Sequence, residues 1–390
     1  LRENHKYLGQ LLTKEFYIWE GTVLAADVFF TDMRTKQGLS LLDKVEKLFE
    51  LAGFDQFIKP KDLVAVKLHF GEKGNTGYIR PQFVRRVIDR IASAGGKPFV
   101  TDANTLYVGS RSNAVDHFRT SVENGFAYSV IGAPVIIADG LNGRDYVSVD
   151  VGLKHFQSVK IASAAYHADA MLVLTHFKGH EISGFGGAIK NVGMGLGSRS
   201  GKQQMHSDVL PVVTAEKCVG CGKCTVWCPA GCIKVTKKKA RINDKKCMGC
   251  GECTVTCPER AIEVNWKSDP DTFQEKMVEY MAGALKNKKG KVGYISFVMN
   301  VTPDCDCCGW SDSPIVSDVG ILASRDPVAI DQASVDLVNK QRPLTNTRLD
   351  GYVNVTDKFA GVHPMVDWGI QLEYAEQVGL GTRDYNLIKL

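Results

Sequence analysis

The sequence predicts an α/β protein: a mostly parallel sheet with helices on both faces, plus a separate cysteine-rich α+β unit inserted into it. Three observations predict this. Outside residues 208–266, short β-branched runs alternate with amphipathic segments, the order that builds βαβ units. The amphipathic segments carry helix start and stop signals. All twelve cysteines lie at or beyond Cys218, nine of them between Cys218 and Cys257, so one short stretch has a chemistry of its own.

A chain of 390 residues, at roughly 150 per domain, has room for two or three domains. Its 44% hydrophobic and 23% charged content excludes disorder and simple fibres. The longest uncharged stretch, Asn124 to Ala138, is broken by Gly125, Gly132 and Pro134 and falls short of the about 20 apolar residues that span a bilayer. No membrane partner is expected. Arg2, Lys6, Lys14 and Glu15 crowd a very short apolar piece near the start, so no secretory core is visible there and a cytoplasmic location is expected.

In chain order, strands are expected at Leu63–Leu68, Pro98–Thr101, Pro134–Ala138, Ala170–Thr175 and Lys291–Val298, each apolar and rich in β-branched residues. Helices are expected at Leu39–Ala52 before Gly53, Pro81–Ala94 before Gly95, Asp271–Lys286, and Pro327–Asn339 with Asp326 as N-cap. Pro211 marks entry to the cysteine-rich unit, and the Ser268, Asp269, Pro270 break marks its exit. The expected domains are therefore an α/β core in two parts, 20–207 and 267–390, around an insert at 208–266.

Within the insert, Cys218, Cys221, Cys224 and Cys228 are followed by Pro229, and Cys247, Cys250, Cys253 and Cys257 by Pro258. Both runs read C-x2-C-x2-C-x3-C-P, and the second repeats the first after 29 residues. This is the spacing of bacterial two-cluster ferredoxins, in which the fourth thiolate of each run ligates the other cluster. The expected cofactors are two 4Fe-4S clusters in a ferredoxin-like α+β domain, one on Cys218, Cys221, Cys224 and Cys257, the other on Cys247, Cys250, Cys253 and Cys228. A zinc ribbon needs only four thiolates and leaves the other four unexplained. Cys232 falls on Ala261 when advanced by the repeat, so an inert core thiol is expected there. The formal charge of +5 would fall to roughly +1 with two oxidised clusters. The lysine runs at 237–239 and 286–291 then read as solvated faces or counter-charge. No nucleic-acid partner is expected, because no helix combines clustered Arg with groove-reading Asn or Gln.

In open α/β sheets ligands sit beyond the carboxyl ends of the strands. The loops there hold His69, Glu72, Lys73 and Asn75, then Asp102, Asn104 and Tyr107, then Lys178, His180, Glu181 and Lys190 around the glycines from Gly184 to Gly197. Gly184 and Gly186 lack a third glycine at Ile189, so no dinucleotide fingerprint is present. The glycine loop reads either as an anion cradle with Lys178 and Lys190 or as a packed turn. Cys305, Cys307 and Cys308 end the last such loop, and soft thiolates select iron-sulfur, zinc or copper. A third metal or iron-sulfur centre is expected, with a fourth ligand from His180, His206 or Asp304, or an open position; the alternative is a set of reduced thiols beside Trp310.

The strings KLHFGEKGN at 67–75, TDANTLYVGSR at 101–111, HFKGHEISGFGGAIKN at 176–191, CDC at 305–307 and GILASRDPVAIDQAS at 320–334 closely resemble the domain of unknown function 362 family, in its form with an inserted two-cluster ferredoxin domain. The resemblance spans about Asp27 to Asn339. It implies an iron-sulfur protein of anaerobic-type metabolism and names no substrate. Cys308 departs from the family pattern.

The expected function is that of an iron-sulfur redox enzyme. Electrons would pass between a soluble donor or acceptor and a strand-end site that reduces a small anionic substrate or cofactor. Lys178 and Lys190 would bind the anion, His69 or His180 would donate the proton, and Glu72 or Asp102 would orient that histidine. The alternative is a non-enzymatic electron carrier or a metallocluster-maturation partner.

Overall fold

The computed structural model describes residues 25–390 apart from 108, 207–209, 229, 248–250, 264–268 and 352–354. Cys250, Pro229 and the insert boundaries at 208 and 266 thus lie outside the described residues.

Eight strands form the main sheet: β1 (Ala26–Asp32), β2 (Leu63–Lys67), β3 (Lys97–Asp102), β4 (Val135–Ile137), β5 (Ala170–His176), β6 (Val292–Val298), β7 (Gly320–Ser324) and β8 (Tyr385–Lys389), in the order β8-β1-β7-β6-β5-β2-β3-β4. Every pairing is parallel except the two made by β7. The five expected strands are all present. β1, β7 and β8 were not expected: β1 mixes acidic ends with apolar residues, β7 opens on glycine, and β8 is half exposed.

Alternate residues of β5 enter different cores. Met171 and Val173 pack with one buried cluster, Ala170, Leu172 and Leu174 with the other, as expected of a strand covered on both faces. The second cluster holds α1 (Leu41–Leu51) and α2 (Pro81–Ser93). The first holds α3 (Ala188–Leu196), α4 (Arg199–His206), α5 (Pro270–Leu285) and α6 (Pro327–Asn339). Each such buried Leu, Val or Phe contributes about 1.5–3 kcal/mol relative to exposure. The caps act as expected: Ser40 and Asp43 form a capping box on α1, and Asp326 accepts from the amides of Val328 and Ala329 before Pro327. The break at Asp269 and Pro270 is itself a helix start, since Pro270 is the first residue of α5 and the Asp269 side chain accepts from Thr272 N–H.

The chain lays β3 and β4 to one side of β2, then places β5, β6 and β7 on the other. Loops leaving β2 and β5 therefore diverge at a topological switch point, the place where open α/β sheets bind ligands. Because β7 runs against β6, residues 299–319 leave and re-enter the sheet at the same edge. That places Cys305–Cys308 on the carboxyl rim.

The cysteine-rich segment builds small sheets of its own: Val212–Val213 pairs with Ile262–Glu263, and Ile233–Thr236 with Lys239–Ile242, all antiparallel. Two short helices, Lys223–Val226 and Glu252–Thr256, follow left-handed Gly222 and Gly251, which the 29-residue repeat superposes. Its core is Cys218, Cys224, Cys232, Ile233, Ala240, Cys253, Ala261 and Ile262. It docks on α4 and on the loop after β3. A Cβ at Gly251 would collide with Gln203, Lys160 Nζ lies 2.9 Å from Glu252 Oε1, and Arg260 Nη2 donates to Ser112 Oγ at 3.4 Å. Among the described residues no helix is long and apolar enough to cross a membrane.

Candidate metal centre and thiol cavities

Two cavities divide the cysteines of the insert. One is lined by Cys218, Cys221, Cys224 and Cys257 with Val219, Ala240, Glu259 and Ile262. The other is lined by Cys228, Cys247 and Cys253 with Cys232, Ile233 and Ile242. In each, the fourth cysteine of one run has joined the triplet of the other. Backbone amides point at sulfur in matching places: Cys232 N–H donates to Cys228 Sγ at 3.4 Å, and Ala261 N–H to Cys257 Sγ at 3.3 Å. Cys232 is buried as expected but is not remote. Its Sγ lies 3.3 Å from Cys228 Sγ on the cavity wall, and its thiol is pushed up to about 12 by burial and by Cys228.

At the sheet rim, the loop after β5 and the loop after β6 bring His180, Cys305 and Cys307 together, with ligand atoms within 4.8 Å of one another. Cys308 is not part of this group. Its carbonyl accepts from Asn75 Nδ2 at 3.2 Å. Of the other expected ligands, Asp304 is held by Arg348 Nη2 at 2.9 Å and His206 lies against Phe273.

Residues of the CDC string face opposite ways. Cys305 Sγ accepts from Lys190 Nζ at 3.1 Å, while the Asp306 carboxylate turns inward to His176 Nδ1 at 2.9 Å and Lys178 Nζ at 3.5 Å. Lys178 Nζ also donates to the His176 carbonyl at 2.8 Å. Burial disfavours the charge of Asp306, yet His176 and Lys178 hold its carboxyl well below the usual range. Lys190 is part-buried, and although desolvation disfavours its charge, the sulfurs of Cys305 and Cys307 keep it protonated.

His69 and His180 are both held neutral by burial and by the surrounding lysines and Arg111. Neither is oriented by the carboxylates expected to do so. Glu72 is committed to Arg111 Nε at 3.2 Å and to Ser110, and Asp102 to Lys67 Nζ at 3.1 Å and Arg111 Nη1 at 3.6 Å. Backbone amides take that role: Gly71 N–H donates to His69 Nδ1 at 3.0 Å, and Ile182 and Ser183 N–H to His180 Nδ1 at 3.2 and 3.1 Å. In the neutral rings Nε2 then carries the proton.

The glycine-rich segment is a packed turn. The free amides of Ala188 and Ile189 at the start of α3 are taken by Asp331, at 2.7 and 2.9 Å, so they are closed to an outside anion. Gly193 lets α3 touch the Met277 carbonyl, and Gly195 leaves room for the Lys67 ammonium, which also donates to Asn191 Oδ1 at 2.7 Å. Sequence reading passed over Arg111, fully buried between Asp102 and Glu72. The signal was an arginine ending a strand-end loop beside two carboxylate-bearing loops. Beneath the rim, Asp139 accepts from Asn104 N–H and Nδ2 at 2.9 and 2.8 Å, and burial pushes its carboxyl up to about 6.

The family model described as domain of unknown function (DUF362) matches residues 64–336. A curated relative, the thylakoid-associated protein sll1697 of Synechocystis, is 28% identical over 145 residues, covering 36% of this chain and 41% of that protein. Two solved structures overlap it in part. The lactate racemase apoprotein of Thermoanaerobacterium thermosaccharolyticum shares 11% identity at a TM-score of 0.36, over 70% of this chain and 51% of that one. A Thermotoga maritima protein shares 14% at 0.33, over 68% and 52%. The match thus spans under half of the curated relative and about half of each solved chain.

Proposed function

The chain belongs to the DUF362 family, and from that premise we propose that it is an iron-sulfur redox protein whose insert, residues 208–266, carries electrons to or from the rim of the α/β sheet. The observation that carries the reading is the division of the cysteines into two cavities with the fourth residue of each run exchanged. The donor set fits two 4Fe-4S clusters. Each cavity is walled by thiols and apolar groups, with sulfur-directed amides that would favour the reduced state. Cys218, Cys221, Cys224 and Cys257 would hold one cluster, and Cys228, Cys247, Cys250 and Cys253 the other, Cys250 being assigned from the repeat alone. Bound there, the clusters would supply single electrons.

At the rim, His180, Cys305 and Cys307 would hold a third metal. His180 Nδ1 accepts from the amides of Ile182 and Ser183 and Nε2 carries the proton, so His180 would release that proton on binding the metal through Nε2. Three protein ligands leave a fourth position open, the pattern of a catalytic rather than a structural site. Lys190 opposes the upward push that Cys307 and burial give the Cys305 thiol, and His69 keeps an Nε2–H to donate to a reduced substrate. Lys178 braces Asp306, so of the two lysines expected to bind an anion, Lys190 is the one beside the metal ligands.

A second reading, the electron carrier or maturation partner, is favoured by one observation. The rim charges answer one another, Lys67 with Asp102, Arg111 with Glu72 and Lys178 with Asp306, which suits a closed relay as well as a pocket. Counting iron, sulfide and other metals per chain after anaerobic purification separates the readings. About eight irons alone indicates the relay. An additional metal that disappears in a Cys305→Ser, Cys307→Ser double variant, with the two-cluster spectrum retained, indicates the third centre. Material without iron and sulfide overturns both.

A further inference from the structure

The two thiol cavities face different surroundings. The second is backed by α4, where Gly251 meets Gln203. The first has Cys221 exposed, with Val219 of its lining exposed at 59%, and Val226 and Trp227 at the end of the short helix that follows are exposed at 81% and 50%. Apolar side chains gathered at the surface of a small unit mark an interaction site.

Unpaired cations surround that patch. Lys223 lies between Cys221 and Val226, and Lys237 and Lys238 form the tip of the hairpin Ile233–Ile242, whose Lys238 carbonyl abuts Gly220. All three are exposed, and among the described residues none makes an ion pair. One carboxylate, the exposed Glu259, also lines this cavity, and Lys217 is matched by Glu263 at 2.5 Å.

The hairpin tip has a second peculiarity. Lys237 and Lys238 both adopt left-handed backbone, with φ of 51° and 57°. A two-residue turn with both φ positive prefers Asn-Gly, since a Cβ is strained there. Strain of this kind persists where a side chain is needed for function, and here it sets the Lys238 backbone against Gly220 of the Cys218–Cys221 loop with both lysines turned to solvent.

We propose that this face, Val219, Val226 and Trp227 ringed by Lys223, Lys237 and Lys238, docks a small acidic one-electron carrier protein that exchanges electrons through the cavity of Cys221. The inference rests on the two-cluster reading above. In the exchange one electron leaves the reduced carrier and enters the oxidised cluster, or the reverse, and no bond is made or broken. An acidic protein fits better than nucleic acid, because one face of the Trp227 ring is already covered by Arg144 at 4.5 Å and base stacking needs a free aromatic platform. Charge on such a face accelerates encounter and makes it sensitive to salt.

The test uses the full chain, purified anaerobically with its iron. A Lys237→Asn, Lys238→Gly variant removes both charges and installs the residues that the turn prefers, so folding is not put at risk. In stopped-flow mixing with reduced flavodoxin at low ionic strength, the variant should be reduced about tenfold more slowly than the parent, with the salt dependence flattened. Reduction by a viologen radical cation, which needs no docking face, should not slow. Val226→Ser should slow the flavodoxin reaction without changing its salt dependence. A cluster-loaded protein whose rates ignore these substitutions overturns the docking face alone, whereas a chain without iron and sulfide overturns the two-cluster reading and this inference with it. If duplex DNA binds the parent but not the lysine variant while flavodoxin rates are equal, the face serves nucleic acid and the proposal is wrong.

Discussion

Lys190 Nζ stands 3.1 Å from Cys305 Sγ, a contact that joins a helix preceding the cysteine-rich insert to a loop following it. This part-buried ammonium favours thiolate, the form in which sulfur binds metal, against Cys307 and burial, which push the Cys305 thiol up. Lys190→Met should therefore weaken metal binding at His180, Cys305 and Cys307 by about tenfold or more while leaving iron in the insert unchanged. Chelator competition against each variant measures it, and equal affinities would remove Lys190 from the centre.

Cys232 tests the asymmetry between the two cavities, since the repeat places Ala261 where the other half would need a thiol. With Sγ 3.3 Å from Cys228 Sγ, its S–H can donate to a ligand sulfur, which raises a cluster's potential. Cys232→Ala should keep both clusters and lower the midpoint of one. Potentiometric titration followed by electron paramagnetic resonance would show two unchanged midpoints if the thiol is idle.

Asp139 makes stability depend on pH. Its folded-state value of about 6 lies above the ordinary carboxylate range, so the native state keeps a proton that the unfolded chain releases. That contribution is complete below about pH 4 and is lost as pH rises through about 6. Urea unfolding across this range should show a decline that Asp139→Asn lacks, a difference of about 2–3 kcal/mol by pH 7. Parallel curves for the two proteins would refute it.

Gly193 sits where a Cβ would strike the Met277 carbonyl of α5, and backbone cannot step aside as a side chain can. Gly193→Ala should cost about 1–3 kcal/mol, read as a lower midpoint in thermal unfolding with the insert's cluster absorbance unchanged below the transition.

The sequence was legible wherever one pattern carried one meaning. Leu63–Val66 and Ala170–Leu174 announce buried strands by unbroken apolar runs, and the 29-residue cysteine repeat anticipates which thiols share a cavity. The strand Ala26–Asp32, one in from the sheet edge, escaped because half-exposed strands mix polar and apolar residues without a clean period. The rim was harder still. That His180 meets Cys305 and Cys307, or that Asp331 closes the amides of Ala188 and Ile189, depends on approaches between elements far apart in the chain. Local spacing holds no record of them. Glu72 and Asp102 were sensible partners for a histidine until Arg111 and Lys67 claimed them.

The reversed strand β7 has an evolutionary corollary. Val301 O accepts from Ile315 N–H and Val298 O from Val319 N–H, both at 2.9 Å, so the segment bearing Cys305 and Cys307 is cinched at its neck like a purse. Lengthening or trimming the stretch inside that neck would leave strand order untouched. What lies inside is less free than its neck, because Asp306 and the Cys308 carbonyl moor it to His176 and Asn75, so any exchange there must carry those moorings with it.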